Sequence, residues 1–300
     1  MYYIEKVDKL GFKEKLFKSI KIEDNKILVP INTIQNLNEK QLIKLANKTS
    51  KMLQKTHSQK IVLSKDFYEN EIYKNILYSY GYDIVDGKWL FEGIEYKVLD
   101  YIVDKKQIRK EETKISILVN DLTDYTLENI KRFSKEYKTL NIVTNHIEKF
   151  KNIEDKIYEK EGIMITVTNN KKKSLLKSNI ILNIDFPNEL INKYNIFDET
   201  IIVNINRKVK INKKRFNGIV INDYEISVKN NVITNYIGNY ERYYLKHLYE
   251  AEFYKNISYK DFQNKINDDE LQLQGLYGLN GKILWNFYKS FIFLLKYNIM

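Results

Sequence analysis

The chain has 300 residues, more than one hydrophobic core usually organises, so two domains, or one sheet domain with helical additions, are expected. With no Cys it excludes disulfides, thiolate metal ligands and a cysteine nucleophile together, while a 43% apolar fraction supplies a packed core. A formal net charge of +11 invites a nucleic-acid or anionic-membrane partner. The lysines nevertheless alternate with Glu and Asp along most helical stretches, and Arg109, Arg132, Arg207, Arg215 and Arg242 are scattered, a distribution that favours a solvated basic face.

Only 2 Pro and 10 Gly occur, and no Pro- or Gly/Ser-rich linker separates one part from another. The first seven residues run directly into charged ones, unlike a signal peptide, so a cytoplasmic location is expected. Residues 26–31 (KILVPI) read as a strand and residues 38–55 as a helix with Leu42, Leu45, Met52 and Leu53 near one face. A second strand, 60–64 (KIVLS), precedes a helix over 69–80 that Gly81 ends. Residues 88–106 place Leu90, Ile94, Val98, Tyr101 and Ile102 at helical spacing, which predicts one connecting helix and a boundary near 106.

From residue 114 the rhythm becomes regular. ISILV (115–119) has the continuous apolar character of a strand buried on both faces, and a helix follows over 124–137 with Leu127, Ile130, Phe133 and Tyr137 inward. LNIVT (140–144) is the next strand, then a helix over 147–161 with Gly162 as its C-terminal cap. IMITVT (163–168), a short helix over 171–177, NIILNI (179–184), TIIVNI (200–205) and GIVIN (218–222) complete the series. Six such runs with short or helical connections predict right-handed βαβ crossovers and a doubly wound parallel sheet. After about residue 229 helices are expected over 240–254, 259–266 and 283–297, with Gly275, Gly278 and Gly281 in a turn region. The predicted architecture is α/β: an N-terminal unit (1–106), a Rossmann-like domain (107–228) and a helical C-terminal segment (229–300) packing back on them.

The stretches NIVTNHIEKF and TVTNNKKKSLLKSNIILNID resemble the nucleotide-binding half of the shikimate dehydrogenase and glutamyl-tRNA reductase group. That resemblance implies a Rossmann-like fold and a dinucleotide cofactor. Such sheets run from the first strand into G-x-G-x-x-G, whose glycines let the backbone approach a pyrophosphate at a helix N-terminus. Here that segment is NDLTDYT (120–126), with no glycine, and Asp121 and Asp124 stand where the anion would lie. No cofactor is therefore expected. NADP is the alternative, because Thr144, Asn145, His146 and Lys149 replace the acidic residue that holds the ribose of NAD, and with Asn120 and Thr123 they form the candidate cofactor set. Asn145 and His146 read equally as helix caps. The resemblance also implies a catalytic Lys and Asp in the N-terminal domain, for which Lys65 and Asp66 at a strand's end are the candidates, and ordinary surface charges are the competing role. The cysteine that glutamyl-tRNA reductases need is absent.

His57, His146 and His247 have no metal-site spacing, and no metal is expected. Asp121, Asp185 and Asp223 follow strands and form a candidate acidic rim for a hard cation, with capping of the turns as the plainer role. No nucleophile elbow, Walker loop or calcium loop occurs. The 24 Tyr and 14 Phe fall mostly at core spacing, as Tyr243, Tyr244, Tyr249, Phe253 and Tyr254 do. An intact strand and helix rhythm with a missing glycine loop predicts a non-catalytic Rossmann-like protein acting through protein contacts, with a protein partner or a second copy and no membrane span. An NADP-dependent oxidoreductase is one alternative. A nucleic-acid-binding protein is the other, and it requires Lys171, Lys172, Lys173, Lys213, Lys214 and Arg215 to share one face.

Overall fold

The computed structural model describes residues 1–7, 19–229, 240–253 and 257–285. They fall into two units, Met1–Trp89 with Val228–Ile257 and Leu90–Ser227 with Ser258–Met300. Short apolar runs set the strands of both.

In the first unit the chain forms β1 (Tyr2–Lys6), β2 (Lys21–Glu23), β3 (Lys26–Val29), α1 (Glu39–Gln54), β4 (Lys60–Leu63), α2 (Lys65–Tyr68), α3 (Glu71–Ser79) and β5 (Asp83–Ile84). The sheet order is β2-β3-β1-β4-β5, with β1 parallel to β3 and β4. Helix α1 starts at a reciprocal cap, Gln41 N donating to Asn38 Oδ1 at 3.0 Å and Asn38 N to Gln41 Oε1 at 2.9 Å, which satisfies two otherwise orphaned donors. It lays Leu42, Ala46 and Leu53 on a core of Ile4, Ile27, Leu63, Phe67 and Tyr73. Gly81 takes φ +82° after α3, the left-handed conformation that a helix end of this kind needs.

The stretch expected as one helix over 88–106 is two, α4 (Lys88–Gly93) and α5 (Glu95–Lys106). The ring of Phe262 packs where a Cβ on Gly93 would stand, 2.5 Å away, and Ile94 leaves helical geometry. The boundary falls at Trp89/Leu90, inside α4, instead of near 106, because the residues from Leu90 onward bond within the second unit: Phe91 stacks on Tyr224 at 4.3 Å and Asn129 Nδ2 donates to the carbonyl of Glu92 at 3.1 Å.

The second unit continues with β6 (Lys114–Leu118), α6 (Asp124–Glu136), β7 (Thr139–Val143), α7 (Ile147–Glu161), β8 (Thr166–Thr168), β9 (Ile180–Asn183), α8 (Asn188–Ile191), β10 (Ile201–Asn204) and β11 (Ile219–Ile221). These strands form a six-stranded sheet whose pairings are all parallel, in the order β11-β10-β9-β6-β7-β8. The fold is Rossmann-like α/β. Gly162 closes α7 at φ +66° as expected, whereas β8 begins only at Thr166 because Met164 is 82% exposed. Residues 171–177 are turns where a short helix was expected.

After β11 the chain forms β12 (Asp223–Ser227). Helix α9 (Leu245–Glu252) then returns to the first unit and covers Tyr3, Val62 and Val85 with Leu248 and Ala251. It is shorter than the expected 240–254, since Tyr244 is extended and Tyr243 donates its hydroxyl to Glu5 Oε2 at 3.2 Å. Helix α10 (Tyr259–Asp268) is followed by β13 (Gln272–Gly278) and β14 (Gly281–Lys282), an antiparallel sheet with β12 where the glycines suggested only a turn. The helix expected over 283–297 lies outside the described residues beyond 285. Among the described residues no helix is long and apolar enough to cross a membrane.

Candidate functional site

The chain builds β6, β7 and β8 outward on one side, then crosses back and builds β9, β10 and β11 on the other. The direction reverses between β6 and β9. Ligands of open α/β sheets bind at the carboxyl ends of the strands flanking such a reversal. Register sets what meets there: Leu118 pairs with Asn183 and Ile184 N donates to the carbonyl of Leu118 at 2.9 Å, so Asn120 and Asp185 come to stand side by side.

The Asp185 carboxylate occupies the turn after β6. It accepts Asn120 N at 2.8 and 3.0 Å, Asp121 N at 2.8 Å and Asn120 Nδ2 at 3.3 Å. Asn120 Oδ1 in turn accepts Asn145 N at 3.0 Å, tying the turns after β6 and β7 together. In a dinucleotide-binding sheet the backbone N–H groups of this turn face a pyrophosphate. Here a carboxylate of the protein takes them. The resident anion is thus Asp185; Asp121, expected in that place, has an exposed side chain, and Asp124 lies in the first turn of α6 where it complements the helix dipole.

The N-terminus of α6 is also satisfied from within. Thr123 caps it, accepting Thr126 N at 3.0 Å, and the buried Glu92 accepts the hydroxyls of Thr123 and Thr126. Asn129 Nδ2 reaches Glu95 Oε2 at 3.1 Å, while Tyr259 donates to Asn129 Oδ1 at 3.0 Å. Glu95 is 1% exposed and its Oε1 has no hydrogen-bond partner among the described residues. Burial, and then the charge of Glu92, raises its pKa well above the ordinary carboxylate range, against the opposing bond from Asn129. The ring of Tyr125 packs edge-on against those of Tyr259 and Phe262 beside this network.

On the β9 side the sheet edge is closed by a buried asparagine ladder. Asn183 Nδ2 donates to Asn204 Oδ1 at 2.9 Å, Asn204 Nδ2 to Asn222 Oδ1 at 3.0 Å, and Asn222 Oδ1 also accepts Val209 N at 2.8 Å. Sequence reasoning missed this ladder although its signal is visible: NIILN, IIVN and IVIN each put an Asn at the strand's end.

Thr144 is buried and its hydroxyl accepts His146 N at 3.0 Å, so this pair forms the turn before α7; the His146 side chain makes no cap. Asn145, His146 and Lys149 are exposed. Lys65 and Asp66 belong to the other unit and have separate partners: Asp66 pairs with Lys6 at 2.7 Å and Lys65 lies 5.7 Å over the Tyr244 ring. Neither lines a cleft of ≈ 440 Å³ in that unit, bounded by Pro30, Asn32, Asn36, Lys44 and Lys48. Asp223 opens β12 and accepts Tyr224 N. Asp121, Asp185 and Asp223 do not gather as an acidic rim; among the described residues no group of three or more acidic or histidine side chains could hold a metal.

No protein-family model and no curated protein matches the chain. Among solved structures it is similar to the L-tryptophan dehydrogenase of Nostoc punctiforme, at 10% identity and TM-score 0.28 over 62% of this chain and 50% of that one. It is also similar to the A chain of dipicolinate synthase from Bacillus subtilis, at 10% identity and TM-score 0.34 over 68% and 65%. The match spans less than two thirds of either protein's own length. Likeness at this level carries no argument about activity.

Proposed function

We propose that the chain is a non-catalytic Rossmann-like protein that keeps the sheet as a scaffold and acts through protein contacts, in a regulatory or assembly role. The observation that supports this is the Asp185 carboxylate on the N–H groups of Asn120 and Asp121 at the switch point. A pyrophosphate entering there meets a fixed like charge. At about 4 Å and an effective dielectric constant near 20, that repulsion is about 4 kcal/mol per charge, as large as the whole free energy of a millimolar complex, about −4 kcal/mol. Thermal melts with NAD and NADP up to millimolar concentration test the proposal. No saturable shift is expected, and a clear one with either nucleotide overturns it.

An NADP-dependent oxidoreductase is the alternative, favoured by the exposed Asn145, His146 and Lys149 beside β7, where sheets of this topology place the adenosine ribose. A shift with NADP that NAD does not produce, lost in Lys149→Gln, would establish it.

A further inference from the structure

Both faces of the six-stranded sheet carry exposed cations. On the layer of α6 and α7, Lys131 pairs with Glu128 at 2.6 Å, Arg132 with Glu136 at 2.7 Å, Lys135 with Glu161 at 3.0 Å and Lys151 with Glu148 at 3.8 Å, while Lys149, Lys156 and Lys160, spread along α7, form no ion pair among the described residues. The opposite layer is built from the three later crossovers, 170–179, 184–200 and 205–218. They share one core, with Leu175, Ile191, Tyr194 and Val209 packed on Leu118, Ile181 and Ile202 of the sheet. Outside that core the turn Lys171–Lys173 and the side chains of Arg207, Lys208, Lys210, Lys214 and Arg215 are exposed, and none forms an ion pair among the described residues. Of the acids of the layer, Asp185 is held in the turn after β6, Asp198 faces Lys213, which turns inward to the carbonyl of Tyr194, and Glu199 faces Lys106; Glu189 is exposed and forms no ion pair among the described residues.

The segment between the two basic stretches binds both of them. Asn195 N donates to the carbonyl of Lys171 at 2.8 Å, Asn192 Nδ2 to that of Lys210 at 2.9 Å, and Asn212 N to Asn192 Oδ1 at 2.9 Å. The unpaired cations therefore lie on one continuous surface. Phe197, two residues from Asn195, is 44% exposed on the same layer.

We infer that this surface binds single-stranded nucleic acid through its phosphates, with Phe197 as a stacking platform for a base. Unpaired lysines release counterions when they meet phosphates, and an exposed ring accepts any base face. A duplex would need an element to enter a groove, and among the described residues the crossovers of this layer hold one helix, the four-residue α8. A lipid surface would need an amphipathic apolar face, whereas the large apolar side chains exposed here are Leu176 and Phe197, both on irregular segments. The inference goes beyond the proposed function and does not depend on whether a nucleotide enters the switch point.

Fluorescence anisotropy with labelled dT20 and rU20 tests it. With about five phosphates neutralised, the slope of log K against log salt is about −3.5, a loss of roughly 100-fold between 50 and 200 mM KCl. Lys208→Gln, Lys210→Gln and Lys214→Gln together should flatten that slope by about 2, as should the triple glutamine variant of the Lys171–Lys173 turn. Phe197→Ala should weaken binding by roughly 5- to 100-fold. Lys131→Gln, Lys135→Gln and Lys151→Gln together, which are ion-paired on the layer of α6 and α7, should leave the slope unchanged. No binding of either oligonucleotide at 50 mM KCl overturns the inference. So does binding whose slope neither triple variant changes, or binding to phosphatidylserine vesicles without binding to the oligonucleotides.

Discussion

Replacing Asp185 with Ala removes the anion from the turn after β6 and leaves Asn120 N and Asp121 N facing an empty socket. Hydrogen bonds to a charged acceptor contribute about 1.5–3 kcal/mol each. Asp121 is exposed and Asn120 half-buried, so water replaces part of what is lost and the low end applies, about 2–4 kcal/mol in all. For a unit of this size the melting temperature should fall by about 5–15 °C. The socket should then accept a soluble anion. With a Kd of about 1 mM, phosphate or pyrophosphate at 10 mM restores about 1.4 kcal/mol, or some 3–5 °C, whereas the parent gains nothing saturable. Asp185→Asn keeps the shape but loses the charge and should melt between the two. Differential scanning fluorimetry across an anion titration reads all three proteins. A D185A protein as stable as the parent, or one that phosphate stabilises no more than the parent, would refute the assignment of Asp185 as the resident anion.

Glu95 holds its proton in the folded chain above the pH at which the unfolded chain releases it, so its contribution is complete below about pH 4.5 and declines as pH rises toward the folded value, by up to about 1.4 kcal/mol per unit. Glu95→Gln, which keeps an oxygen for Asn129, should therefore match the parent at pH 4.5 and exceed it in denaturant midpoint at pH 8. His247 works in the opposite sense. Its buried ring lies 4.4 Å from Tyr68, and burial, then the charge of Lys246, lowers its pKa well below 6.5, the backbone of Asp86 offsetting only part. The stability it allows is complete above about pH 6.5 and is lost as pH falls toward the folded value; His247→Phe should flatten that acid limb in urea titrations between pH 7 and 5. At Gly218 a Cβ would stand 2.1 Å from the carbonyl oxygen of Thr200. Gly218→Ala should cost about 2 kcal/mol or more, and a midpoint within experimental error of the parent would contradict that geometry.

Much of the second unit is legible residue by residue. ISILV, NIILN and IIVN are buried on both faces and tolerate no polar alternation, so β6, β9 and β10 lie within a residue of where the apolar runs place them. Helices α6 and α7 follow from their inward spacing, and Gly162 marks an end because only a left-handed residue closes it there. The misses share a cause. Strand β1 carries a buried Glu5 that receives the Tyr243 hydroxyl from 238 positions away, so its YYIEK pattern has no local signature. Gly275 read as a turn residue but lies inside β13, where the Lys282 side chain crosses 2.4 Å from the place its Cβ would take.

The amino-acid order alone determined the α/β class, the ends of α1, α6 and α7 and the absence of a glycine loop, because periodicity and backbone preference act within a few residues. Which carboxylate fills the phosphate position was decided by the crossover that sets β9 against β6, placing Asp185 on a turn 64 and 65 residues earlier in the chain. Charge followed the same division. Opposite charges three or four positions apart on a helix find each other locally, whereas the shared surface of the Lys171–Lys173 turn and the stretch around Lys210 exists only because three crossovers pack on one face of the sheet.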